Sequence, residues 1–94
     1  MNIHCRKLCD KAKQLKEKDV GKSILLWKLI VKKYPKVIDV WMSYLELLIE
    51  KDLQNNDAIT EKTFNLILLA KHETNESKSK EIRELYNKYK NEFN

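Results

Sequence analysis

Residues 27–44 read WKLIVKKYPKVIDVWMSY and hold the clearest structural signal in this 94-residue chain. Apolar residues recur at helical spacing as far as Tyr34, where Pro35 disfavours helical geometry in the residue before it. A second helical pattern begins near Ile38, and Asp39 places a carboxylate where it suits the dipole of a helix N-terminus. The segment therefore predicts two helices joined by a short proline turn.

Helical periodicity continues towards the N-terminus of this segment. It predicts a first helix over about residues 3–17, a turn over residues 18–21, and a second helix that ends near Lys33. The second helix is apolar over more than half of its circumference. It is therefore expected to be covered on two sides, one of which carries Leu25 and Leu29.

Three further helices are predicted towards the C-terminus. The helix that starts near Ile38 gives way to a polar stretch over residues 51–56, which we interpret as a loop. Asn56 or Asp57 is expected to cap the fourth helix, and Ser77 the fifth, after a second polar loop over residues 72–77. The fifth helix has a single apolar stripe, as an outer helix of a stack has. Its members are Ile82, Leu85, Tyr86, Tyr89 and Phe93.

The composition excludes several classes of protein. One Gly and one Pro are too few for a chain rich in β-turns, and a single Gly excludes the Gly-rich loops that bind nucleotide phosphates. The length allows one small domain. We therefore expect a single all-α domain over residues 1–94, with helix hairpins at about 3–35 and 36–71 and a terminal helix at 77–93.

The chain contains an internal repeat. A shift of 33 residues places Leu8 on Trp41, and a shift of 37 residues places Trp27 on Phe64. The repeating unit is thus a helix pair of about 33–37 residues, the length class of helix-turn-helix solenoids. The chain holds about two such pairs and one further helix.

The pattern of aromatic residues and proline resembles the HAT repeat, a variant of the TPR repeat that occurs in RNA-processing proteins. In that family an aromatic residue on one helix is followed by apolar residues and a proline, and the next helix carries a tryptophan and a tyrosine. The resemblance implies a right-handed superhelical stack of antiparallel helix hairpins, HAT/TPR-like, with about five helices. It implies packing between repeats by Trp27, Ile30, Val31, Pro35, Trp41 and Tyr44, and the internal repeat adds Phe64, Ile67 and Leu68.

Residues 34–49 are similar, in particular, to the C-terminal HAT arrays of ribosomal-RNA-processing factors that also carry OB-fold domains. This likeness implies a non-enzymatic protein–protein scaffold in a ribonucleoprotein particle. The particle is expected to be pre-ribosomal, with a role in rRNA processing and small-subunit ribosome biogenesis in the nucleolus or nucleus. Splicing and polyadenylation factors carry similar repeats, so pre-mRNA processing is the alternative.

Charge is distributed unevenly along the chain. Residues 1–36 carry 11 Lys and Arg against 3 acids, whereas residues 37–94 carry 8 against 11. A basic end suggests an acidic partner, and RNA is one candidate. The best candidates for contact with RNA or an acidic protein are Lys28, Lys32, Lys33 and Lys36. The alternative is a solvated lysine-rich face, which the scarcity of Arg favours.

The first helix of each hairpin usually lines the concave surface of such repeats, where partner segments bind. Met42, Ser43, Glu46 and Glu50 are therefore the expected partner-groove residues. A TPR-type adaptor that clamps an acidic peptide is an alternative. It would need matching Lys or Asn residues on successive first helices, which the third helix does not offer.

No pattern in the sequence points to catalysis, a cofactor or a metal. Cys5 and Cys9 share a helix face, but structural zinc needs four ligands and no second Cys pair is present. We interpret both as packing residues of a protein from a reducing compartment. The apolar stretch 24–31 is too short to span a membrane, which takes about 20 residues. Two repeats make a marginal stack, so we expect the free chain to be weakly stable or to self-associate through the first, fourth or fifth helix.

Overall fold

The computed structural model describes residues 2–75 and 79–93, and within them the protein is all-helical, as predicted. Successive helices pack on one another as in a stack of hairpins, and the last helix also contacts the third. Of the helices described, none is long and apolar enough to cross a membrane. The helices are α1 (Ile3–Lys18), α2 (Val20–Lys33), α3 (Ile38–Asn56), α4 (Glu61–Glu73) and α5 (Lys80–Tyr89), and a 3₁₀ turn follows at Lys90–Glu92.

The molecule is a thin slab with two broad faces. Its principal extents are 38 × 32 × 16 Å. Packed helices lie about 8–10 Å apart, and their Cα atoms lie about 2.3 Å from each axis, so the thin dimension corresponds to two layers of helices. Each broad face can therefore carry a groove between neighbouring helices.

The first hairpin is closed by a turn of one residue. The side chain of Asn2 accepts a hydrogen bond from the Cys5 backbone N–H at 2.7 Å and caps α1. Asp19 ends α1 through its own N–H and caps α2, because its Oδ1 accepts a hydrogen bond from the Lys22 N–H at 3.1 Å. The predicted turn over residues 18–21 is thus longer than the turn observed.

The helix–proline–helix segment has the predicted order. α2 ends at Lys33 and α3 begins at Ile38. The indole N–H of Trp41 donates a hydrogen bond of 2.7 Å to the Pro35 carbonyl and fixes the turn against the start of α3. Trp41 therefore closes this turn while it packs in the core.

The predicted polar loop at residues 51–56 is wrong, because α3 continues through it to Asn56. The cause is Asp52, which is buried rather than solvated. Its Oδ2 accepts hydrogen bonds from the Thr60 N–H (3.0 Å), the Thr60 hydroxyl (3.1 Å) and the Thr63 hydroxyl (2.5 Å). The helix then stops at Asp57, whose φ of 58° is left-handed. Thr60 caps α4, in place of the predicted Asn56 or Asp57.

The two hairpins correspond at a shift of 40 residues, which corrects the predicted shifts of 33 and 37. In the first hairpin the Ser23 hydroxyl donates to the Ala12 carbonyl at 2.6 Å, over 11 residues. In the second the Thr63 hydroxyl donates to Asp52, also over 11 residues. Ser23 and Thr63 are 40 residues apart, as are Ala12 and Asp52 and the last residues of α2 and α4.

This correspondence explains two apolar positions that are not buried. The predicted shift of 37 residues places Val31 on Leu68. At the observed shift of 40 residues, the counterpart of Val31 is Lys71. Leu68 is 40% exposed, and its role in repeat packing stays a prediction. Leu25 and Leu29 are each 62% exposed, and the expected second cover on α2 is not present among the described residues.

The fifth helix packs through the predicted stripe. Ile82 and Tyr89 are buried, and Leu85, Tyr86 and Phe93 pack against the core. The Phe64 ring of α4 stacks on Phe93 at 4.7 Å and on Tyr86 at 5.9 Å. Ser79 occupies the cap position of α5, and Ser77, the predicted cap, lies outside the described residues.

Candidate partner-binding grooves

A continuous groove runs between α1 and α3 on one broad face. Its widest part encloses about 570 Å³, and two further cavities of about 210 and 260 Å³ continue it along both helices. Neighbouring cavities share lining residues, among them Trp27 and Ser43, and then Lys16 and Glu50. The α1–α3 groove is defined by Trp27 on its floor and by the wall residues Arg6, Asp10, Lys13, Lys16, Asp39, Met42, Ser43, Glu46 and Glu50.

All four predicted partner-groove residues lie on the α3 wall of this groove. Met42 and Ser43 line the wide part and are half-buried. Glu46 and Glu50 line the narrower continuation and are exposed. The sequence rule that the first helix of a hairpin lines the binding surface thus selected residues that share one groove.

Apolar side chains lie beneath the α1–α3 groove, whose accessible lining is mostly polar. Trp27 is buried beneath it, and Cys9 is buried beside it. Burial, and to a lesser extent the neighbouring Cys5, raises the pKa of the Cys9 thiol to about 11. The thiol therefore stays protonated near neutral pH.

Among the residues that the structure describes, no group of three or more His, Cys, Asp or Glu side chains is placed to hold a metal ion. Cys5 and Cys9 are both buried as free thiols on α1. Their surroundings are those of packing residues.

The two walls of the α1–α3 groove carry opposite charges. The α1 wall presents three cations, and Asp10 is its one acid among the lining residues. The α3 wall presents three acids and, in the last of the three cavities, Lys51. Lys16 and Glu50 form an ion pair across the narrow end at 3.4 Å, with both side chains about half exposed. An exposed pair of this kind contributes less than about 1 kcal/mol, so a partner can displace it at small cost. The cations are Arg6, Lys13 and Lys16, and the acids are Asp39, Glu46 and Glu50.

A second groove, the α2–α4 groove, lies where α2, α3 and α4 meet. It encloses about 300 Å³. Its residues are Lys28, Val31, Lys32 and Pro35 from α2 and the turn, Trp41 and Tyr44 from α3, and Leu66, Leu69 and Glu73 from α4. Most of this lining is apolar.

The four lysines predicted to contact RNA or an acidic partner do not form one cluster. Lys28 and Lys32 line the α2–α4 groove. Lys33 lies elsewhere on α2, with its Nζ 3.2 Å from Nε2 of His4. Lys36 is exposed in the proline turn. The grouping expected from sequence proximity is therefore divided between different surfaces.

The aromatic residues of α3 support the α2–α4 groove from below. Trp41 and Tyr44 are almost fully buried, with their ring centroids 6.3 Å apart. Burial also raises the pKa of the Tyr44 hydroxyl, which therefore stays protonated. Neither ring offers an open face on which a nucleotide base could stack.

The remaining residues assigned to repeat packing lie mainly in the core. Pro35 is half-buried, and Leu68 lines a cavity of about 450 Å³ between α4 and α5, with Phe64 and Tyr86. The buried members of the set are Trp27, Ile30, Val31, Trp41, Tyr44, Phe64 and Ile67.

Sequence reasoning missed the opposite wall of each groove. Arg6 and Lys13 face the α3 wall of the first groove, and Leu66, Leu69 and Glu73 face the lysines of the second. One signal was available for α4, since Leu66 and Leu69 are three residues apart on a side of the helix other than its core stripe. The sequence alone did not show which helix would lie opposite.

Comparison with models of protein families, with curated proteins and with solved structures found no match to this chain. The likeness to HAT repeats therefore rests on the spacing of residues in the sequence.

Proposed function

We propose that this protein is a non-enzymatic scaffold of HAT/TPR-like type that binds a segment of a partner protein in the α1–α3 groove. The observation that carries the proposal is a groove that follows both helices, with charged walls of opposite sign and the half-buried Met42 between them. Such clefts between helices suit an amphipathic helical segment.

The charges on the walls select the orientation of the bound segment. Acidic side chains along one edge of a partner helix would face Arg6, Lys13 and Lys16, and basic side chains along the other edge would face Glu46 and Glu50. A reversed segment would place like charges together, which is unfavourable. Apolar side chains between the two edges would cover the floor.

The proposal assigns no catalytic step to the groove. Its thiol, Cys9, is buried and protonated near neutral pH. Its wall carboxylates at positions 46 and 50 are exposed, so they do not share the enclosed site that general acid–base chemistry uses.

The cellular setting of the scaffold is a ribonucleoprotein particle in the nucleus or nucleolus. The support is the resemblance of residues 34–49 to HAT arrays of rRNA-processing factors. Pre-ribosomal RNA processing and small-subunit assembly form the first assignment. If the captured particle is a splicing or polyadenylation particle, the protein acts in pre-mRNA processing instead.

Affinity capture from the source cells tests both parts of the proposal. The tagged chain is compared with Ser43→Arg, which fills the groove, and with Asn55→Arg, an exposed change on the same helix away from the groove residues. We expect the wild type and Asn55→Arg to capture the same proteins and pre-ribosomal RNA, and Ser43→Arg to lose them by at least about tenfold. Glu46→Lys is a second test, since an exposed charge reversal leaves folding intact.

Two results would reject parts of this account. If Ser43→Arg, Glu46→Lys and Asn55→Arg capture the partners equally well, the α1–α3 groove is not the binding site. Capture of chaperones, or of proteins without RNA, would reject the ribonucleoprotein setting and retain only the groove.

Direct RNA binding by the first hairpin is a second candidate function. All ten lysines within residues 1–36 are exposed, as is Arg6. Phosphate binding by these side chains would release counterions, so RNA affinity should fall steeply as salt rises. A flat salt response of binding to a single-stranded RNA would exclude this candidate.

A further inference from the structure

The α2–α4 groove combines an apolar surface with charges at defined places. Lys28 and Lys32 lie one helical turn apart on the α2 wall, and both are exposed. Leu66 and Leu69 form the opposite wall, and Leu69 is 44% exposed. A molecule that fits this groove must offer apolar surface to the leucines and negative charge to the lysines.

The lining of this groove disfavours RNA as its occupant. Trp41 and Tyr44 lie beneath the surface and present no open ring face for a base. Glu73 lines the same groove and would repel a phosphate backbone. The polar lining is small beside the apolar lining, whereas nucleic-acid sites are predominantly basic and polar.

A helical protein segment meets all of these requirements. Two carboxylates one turn apart on a helix match the spacing of Lys28 and Lys32. Leucines on the adjacent side of the same helix would cover Leu66 and Leu69, and burying such surface contributes about 25 cal/mol per Å². Rim charges add orientation and specificity more than affinity.

We propose that the α2–α4 groove is a second docking site, which binds an acidic, leucine-bearing helical segment of a partner protein. The carboxylates of that segment face Lys28 and Lys32, and its leucines lie against Leu66 and Leu69. This site is separate from the α1–α3 groove and does not depend on the function proposed for that groove. The two grooves have different preferences, since the first has charges along both walls, whereas the second is mostly apolar, with Lys28 and Lys32 on one wall and the single acid Glu73 on the other.

A peptide-display selection tests the chemistry of the occupant. The probe is a phage library of helical peptides about three turns long, in which two leucines one turn apart are fixed and the neighbouring positions are random. The bait is the full chain carrying Ser43→Arg, so that the α1–α3 groove does not contribute. We expect Asp and Glu to be enriched at pairs of positions one turn apart.

Charge reversal provides the sharpest variant. When the chain carrying Lys28→Glu/Lys32→Glu is the bait, we expect the selected peptides to carry Lys and Arg at the positions where the unchanged bait enriches Asp and Glu. The matched control is Lys11→Glu/Lys22→Glu, which has the same net charge and changes exposed lysines outside the groove. The control is expected to select the same acidic peptides as the unchanged bait.

Adjacent leucines on α4 provide a second matched pair. Leu69 lines the α2–α4 groove, whereas Leu68 has a similar exposure of 40% and faces the cavity beside α5. Leu69→Glu is expected to weaken binding of a selected peptide by at least about tenfold in fluorescence anisotropy, and Leu68→Glu by less than about twofold.

Three results would overturn the proposal. The first is selection without enrichment of acids, or with enrichment of bases, on the unchanged bait. The second is an equal effect of Leu68→Glu and Leu69→Glu. The third is binding of a single-stranded RNA oligonucleotide that competes with the peptides and that is abolished by charge reversal at Lys28 and Lys32. That result would assign the surface to nucleic acid.

Discussion

The two hairpins of this protein close in the same way with different chemistry. In the first, a neutral hydroxyl on Ser23 donates to the backbone carbonyl of Ala12. In the second, the Thr63 hydroxyl donates to the buried carboxylate of Asp52, which also accepts from Thr60. The first hairpin therefore relies on close approach of small residues, and the second concentrates its polar stabilisation on one side chain.

The difference also concerns how the second hairpin joins its two helices. A buried carboxylate near the end of α3 satisfies donors at the start of α4, so the helix is held in place beyond the region where its sequence becomes polar. α1 has no equivalent, and its counterpart position is Ala12. One buried Asp thus joins the end of α3 to the start of α4.

Removal of the Asp52 carboxylate should produce the largest loss of stability among the polar substitutions. Asp52→Ala leaves the Thr60 N–H and the Thr63 hydroxyl without their acceptor, and we expect the free energy of unfolding to fall by about 2–4 kcal/mol. For a chain of this size each kcal/mol corresponds to about 4–8 °C in Tm, which circular dichroism measures readily. Glu17→Ala, an exposed acid of the first hairpin, is the control and should change Tm little. An equal effect of both substitutions would contradict the role given to Asp52.

Alkaline pH should destabilise the protein through Cys9. The pKa of its thiol is about 9 in an unfolded chain and about 11 in the fold, so the thiol is neutral in both states below pH 9. Between pH 9 and 11 the unfolded chain loses its proton first, and stability should fall by about 1–3 kcal/mol. The measurement is urea unfolding as a function of pH.

A matched variant assigns this alkaline loss to the first hairpin. At a shift of 40 residues the counterpart of Cys9 is Ile49, which is also buried and does not titrate. Cys9→Val copies that apolar character and should remove most of the loss above pH 9. The account of Cys9 fails if the pH dependence is unchanged in this variant.

The closing hydrogen bonds of the two hairpins should differ in strength. Ser23→Ala removes one neutral hydrogen bond and should cost about 1 kcal/mol. Thr63→Ala removes a bond to a carboxylate and should cost about 1.5–3 kcal/mol. Denaturant melts of the two variants give the comparison directly. A larger loss of stability in Ser23→Ala than in Thr63→Ala would show that the first hairpin has the stronger closing hydrogen bond.

The smallest effect is expected at the exposed leucines of α2. Leu25→Gln/Leu29→Gln should change the free energy of unfolding by less than about 0.5 kcal/mol, because both side chains are already largely solvated. Ile30→Ala, on the buried side of the same helix, should cost about 2–4 kcal/mol. Melts at several protein concentrations separate stability from self-association. A large, concentration-dependent loss in the double variant would show that this face is covered by a second copy.

Local structure around the proline turn was predictable from the sequence because its signals are local. Apolar spacing, Pro35 and Asp39 specify two helices without knowledge of their neighbours. Residues 51–56 were misread because their polarity is equally consistent with a loop and with the exposed side of a helix. Only the burial of Asp52, which depends on Thr60 and Thr63, distinguishes the two.

The grooves were predictable from one side only. Met42, Ser43, Glu46 and Glu50 followed from the rule that the first helix of a hairpin lines a binding surface. The same rule assigns α1 to the other wall, but it does not show which α1 side chains turn towards α3. The lysines were grouped by proximity in sequence, and the helical geometry of α2 places Lys33 away from Lys28 and Lys32.

The most direct test of the central claim is an NMR titration of the full ¹⁵N-labelled chain with peptides selected from a fully random helical display library. The account predicts that a selected peptide shifts the amide signals of α1 and α3 along the groove, around Lys13, Ser43 and Glu46. It also predicts that Ser43→Arg abolishes these shifts, whereas Asn55→Arg preserves them. Failure to select any peptide, or shifts that avoid α1 and α3 and are unaffected by Ser43→Arg, would contradict the claim that this groove binds a partner segment.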